Sequence, residues 1–94
     1  MARFAGFDHV DAPVHDLPAA RVLYDVLMPA LGLTDVHEDS GEVEYYQPGP
    51  INGGSRALFG LHEDPAHVAN ETCIAFSAAT PGDVDRLADI ARAA

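Results

Sequence analysis

Residues 7–33, FDHVDAPVHDLPAARVLYDVLMPALGL, constrain the fold more tightly than any other part of the chain. From Phe4 to Val14, apolar and polar residues alternate with the period of a half-buried strand. Phe7, His9 and Asp11 fall on one side of it, and Val10, Ala12 and Val14 on the other. Pro13 cannot donate to a ladder, which puts this end at a sheet edge or at the strand exit. Asp16 has the chemistry of a helix N-cap, because its carboxylate can accept from the free amides of the next turn. Pro18 falls in that first turn, where a missing amide hydrogen costs nothing. Ala20, Leu23, Tyr24, Leu27, Met28 and Leu31 recur at helical spacing and predict a single apolar stripe. Pro29 should loosen the last turn, and Gly32 supplies a left-handed stop.

Beyond this segment, residues 33–38 (LTDVHE) and 42–47 (EVEYYQ) read as the two strands of a hairpin turned by Asp39, Ser40 and Gly41. Residues 48–55, PGPINGGS, cannot hold a ladder and form either a flap over a site or a plain connection. A strand is expected over 56–62 (RALFGLH), a polar linker over 63–71, and a strand over 72–78 (TCIAFSA). Thr80, Pro81 and Asp83 open a last helix whose inner face would be Val84, Leu87, Ala88 and Ala91. The strand and capped helix after residue 71 restart the pattern of residues 7–33, as a weak interrupted repeat.

Composition limits what such a chain can do. Ninety-four residues make one small domain, which at this size buries roughly 60–65 % of its unfolded surface. A hydrophobic content of 48 % is that of an ordinary globular core and argues against disorder. Fifteen acids against five bases give a formal charge of −10 without any basic cluster. Nucleic acid and anionic membrane surfaces are therefore not expected as partners. Cys73 is the sole cysteine, so no internal disulfide can form. With neither a secretory leader in MARFAGFDHV nor an apolar run approaching a membrane span, a cytoplasmic protein is expected.

With these elements in place, the chain resembles the vicinal oxygen chelate superfamily, which includes glyoxalase, bleomycin-resistance and extradiol-dioxygenase proteins. The matching residues are FDHVDAPVHDLPAARVLYDVLMPALGL, ALFGL and TCIAFSAATPGDVDRLADIARAA. The more specific part is the spacing from His9 to Asp16 and Leu17, followed by Leu23-Tyr24-Asp25 and Leu31-Gly32-Leu33. The resemblance implies an α+β domain built from βαβββ modules around a cavity. Residues 1–63 would be the first module, and residues 71–94 the strand and helix of a second, incomplete one. The remaining strands would lie in a longer product or come from another chain, as in a homodimer.

The resemblance also implies a divalent metal ion on the concave sheet face, held by one residue from each of four strands. His9 matches the first ligand. Gly60 stands at the second ligand position, Cys73 at the third, and the fourth lies outside the chain. Three protein ligands and an open position are what a catalytic zinc or iron site needs. His62, two residues beyond Gly60 on the same side, would be roughly 6–7 Å away. Glu63 would face the opposite side. Cys73 would bind only as a thiolate. The metal candidates are thus His9, Cys73 and His62. Each has a plainer reading as a hydrogen-bonded, buried or solvated side chain.

The expected cavity lining is Phe7, His9, Leu58, Gly60, His62, Cys73, Ala75 and Ser77, apolar with a few polar anchors. One of Tyr45 and Tyr46 should line it while the other packs. Tyr24 reads as a packing residue, and His15, His37 and His67 as surface or linker residues. The expected function is the binding of a small molecule in this cavity, with an incomplete metal site. The alternatives are a metal-dependent lyase, isomerase or dioxygenase, or a non-catalytic dimerising half-domain.

Overall fold

Asp16 starts the first helix as its chemistry requires. In the computed structural model, which describes residue 2 and residues 7–49 and 57–94, its carboxylate accepts from the Ala19 amide at 3.1 Å. The 48–55 loop, the beginning of the first expected strand and the start of the 56–62 strand fall largely outside the described residues. The element order is β1 (His9–Val14), α1 (Leu17–Ala30), β2 (Asp35–Asp39), β3 (Glu42–Tyr46), β4 (Leu58–Glu63) and α2 (Pro81–Ala93). This is an α+β fold with a βαβββ order followed by a helix. The strands form a mixed sheet in the order β1-β4-β3-β2, with β1 and β4 parallel and the other pairs antiparallel.

α1 closes on a Schellman motif. The Leu33 amide donates to Met28 O and the Gly32 amide to Pro29 O, each at 3.0 Å. Gly32 supplies the positive φ of 94° that this geometry needs. The β2–β3 hairpin turns through Gly41 at φ 73°, a conformation a side chain would resist. α2 is capped by Thr80, whose hydroxyl accepts from the Asp83 amide at 3.1 Å.

The core lies on one side of the sheet. Leu17 and Met28 from α1 pack with Val43, Tyr45, Phe59 and Leu61 from β3 and β4. Phe59 is its aromatic centre: the Tyr24 ring lies 5.5 Å from it, and the Phe76 ring meets it edge-on at the same distance. A polar network ties α1 to the hairpin on this side. The buried Tyr45 hydroxyl donates to Asp25 at 2.7 Å, Arg21 Nε donates to Asp25 at 3.1 Å, and Arg21 Nη2 donates to Glu38 at 2.7 Å. Burial and the neighbouring Asp25 carboxylate push the Tyr45 phenol far above its ordinary range. Hydrogen bonds to Glu38 and Asp25 raise the Arg21 guanidinium further. Arg21 in turn holds the Glu38 carboxyl below its usual value.

Two expectations are modified. Residues 72–78 carry no ladder; Ile74 and Phe76 instead line a crevice on the core side of the sheet with Ala12, Val14 and Phe59. Covering the Phe59 ring buries apolar area that pairing along the outer edge of β1 would leave in water. α2 packs on α1 rather than on the sheet, so Leu87, Ala88, Ile90 and Ala91 are only half-buried and Val84 is 54 % exposed. Among the described residues, no helix is long and apolar enough to cross a membrane.

Candidate functional site

The sheet side without helices carries the polar chemistry. In β1 the inward residues are Val10, Ala12 and Val14, which leaves His9, Asp11 and Pro13 on the bare side. Strand register brings their neighbours onto the same side. His9 stands beside Leu58, which is opposite Tyr46. Asp11 stands beside Gly60, then Glu44, then His37. Pro13 stands beside His62, which is opposite Glu42. Asp11, Glu42, Glu44, Gly60 and His62 line a shallow depression of about 300 Å³.

Gly60 is the pivot of that depression. A Cβ here would collide with the Asp11 carboxylate and come within 3.7 Å of Glu44 Cγ. The absent side chain is therefore what lets Asp11 lean across β4. Sequence pattern marks Gly60 as a place of close approach but does not say what approaches.

His9 is half-exposed and held from both ring nitrogens: Nδ1 lies 3.0 Å from Asp8 Oδ2, and Nε2 lies 3.4 Å from Asp11 Oδ2. Its pKa is raised, chiefly by the hydrogen bond to Asp8 and then by the charge of Asp11. By NMR the His9 ring should titrate above the ordinary histidine value of about 6.5, and Asp8→Asn should bring it down. The folded value is the higher one, so the proton stabilises the fold below the unfolded-chain value. That contribution is lost as pH climbs through the raised value. A wild-type midpoint at the ordinary value would contradict this geometry.

The expected residues divide between places. His9, Leu58, Gly60 and His62 share the bare side. Phe7 is 75 % exposed just ahead of β1. Cys73 and Ala75 are exposed, and Ser77 lines a separate depression between Leu31, just after α1, and Leu87 of α2. Of the two tyrosines, Tyr45 is buried and Tyr46 faces the bare side. Glu63 is turned to the helix side, where its carboxylate accepts from the Leu17 amide at 2.8 Å and satisfies the start of α1. Sequence reasoning did not assign Asp11, Glu42, Glu44 and His37 to the site. The alternation of EVEYYQ already places Glu42, Glu44 and Tyr46 together, and only the register was needed to add them to His9.

The described residues do not fit the ligand set that the resemblance implies. His9 is the one matched ligand position that carries a donor on the bare side, and its ring nitrogens face Asp8 and Asp11. Gly60 offers no donor, and no group of three histidine, cysteine or carboxylate side chains among the described residues is placed to hold an ion. No family model, curated protein or solved structure matches the chain.

Proposed function

We propose that the chain binds a small molecule against the bare sheet side, over Gly60, in the manner of glyoxalase and bleomycin-resistance proteins, without a metal-borne step. The observation that carries this reading is the convergence of Asp11, Glu44 and His62 around a glycine that leaves the strand surface open, with His9 Nε2 3.4 Å from Asp11. Carboxylates dominate this surface, with Asp8, Asp11, Glu42 and Glu44 close to His9 or Gly60. Their field favours neutral or cationic ligands and repels anions. The ligand is therefore a hydrogen-bond donor, such as a hydroxylated amine, with an apolar body to lie on Leu58.

Two catechols of opposite charge test this. Dopamine should give saturable amide shifts at His9, Asp11, Gly60 and His62, and 3,4-dihydroxyphenylacetate should bind about tenfold more weakly. Asp11→Asn should narrow that gap. Equal affinity for the two, or shifts confined to the helix side, would sink the proposal.

A further inference from the structure

On the helix side of the sheet α1 packs chiefly on β3 and β4. Residues 67–76 lie beside the inner face of β1 and leave a crevice of about 430 Å³. Its apolar lining includes Ala12, Val14, Tyr24, Phe59, Ile74 and Phe76. Phe59 holds the Tyr24 and Phe76 rings at different tilts, 32° and 78°, so that aromatic surfaces meet the space from more than one direction. Ile74 and Phe76 remain 41 % and 43 % exposed, so the chain itself does not finish covering them.

Among the described residues, the polar side chains of the lining are His67, Asn70 and Thr72 on one stretch, together with Tyr24 from α1. Asn70 Oδ1 accepts from the Thr72 amide at 2.8 Å. The Asn70 amide nitrogen, the Thr72 hydroxyl and the His67 ring have no partner among the described residues. Among the described residues no carboxylate lines the crevice, although the chain carries a formal charge of −10. The space thus combines apolar walls with neutral donors and acceptors, and is in the size range of small-molecule sites.

We propose that this crevice is a second binding site, on the opposite side of the sheet from Gly60. It would take an uncharged molecule of one or two aromatic rings bearing a hydroxyl or carbonyl group. The rings lie against Tyr24 and Phe76, and the polar group meets Asn70 and Thr72.

Titration of the whole isotope-labelled chain with p-cresol, followed by amide shifts, tests it. Saturable shifts are expected at Ala12, Phe59, Thr72, Ile74 and Phe76, with an affinity in the millimolar range or tighter. Phe76→Ala, at a position 43 % exposed, should weaken binding about fivefold. Thr72→Val, which keeps the shape of the wall, should weaken p-cresol but not toluene. His62→Ala should change neither. Absence of saturable shifts, shifts only around Gly60, or unchanged affinity in a folded Phe76→Ala chain would overturn the assignment.

Discussion

Phe59→Ala should lower the free energy of unfolding by about 3–5 kcal/mol. Phe59 is 3 % exposed at the middle of the sheet, on β4 between β1 and β3. Its ring joins Tyr24 of α1 to Phe76 of the 67–76 segment. Truncation removes the apolar burial of the ring and leaves a hole that neighbours on three elements cannot jointly fill. A chain this small holds only about 5–15 kcal/mol in total, so the variant should stand near its folding limit. Chemical denaturation with circular dichroism measures the effect. Phe76→Ala is the control: that ring is 43 % exposed, and its removal should cost less than half as much. A change below about 1 kcal/mol at Phe59 would mean that β4 is not the centre of the core.

Asp25→Ala should cost about 2–3 kcal/mol. The Asp25 side chain is partly exposed, and most of its value lies in what it satisfies. It accepts the Tyr45 hydroxyl at 2.7 Å and the Arg21 guanidinium at 3.1 Å. Without it, a phenol on a fully buried residue loses its acceptor. Tyr45→Phe removes the stranded donor, so the double variant Asp25→Ala/Tyr45→Phe should recover part of the loss and give a non-additive cycle. Strict additivity of the two single changes would show that the hydroxyl and the carboxylate do not act together. Asp25→Asn keeps an acceptor for Tyr45 and should fall between wild type and Asp25→Ala.

Both predictions concern contacts between elements, and that is where the sequence stopped being informative. The N-cap at Asp16, the stop at Gly32, the turn at Gly41 and the cap at Thr80 were all legible. Each depends on interactions within a few residues, and side-chain type alone determines them. The side of β1 that carries His9 was legible for the same reason, since alternation is a local property. Glu63 was legible only as turned away from that side. Its bond to the Leu17 amide spans 46 positions, and no local pattern encodes it.

The helix bounds, the hairpin and the polarity of each strand side were determined by the sequence itself, through caps, glycines and periodicity acting over one or two turns. Tertiary structure alone decided that Asp11 leans over Gly60 beside Glu44, that Tyr45 finds Asp25, and that residues 72–78 cover Phe59 instead of extending the sheet. The physical reason is register and burial. Which residues become neighbours across strands, and which apolar ring most needs cover, are settled only when distant segments compete for the same surface.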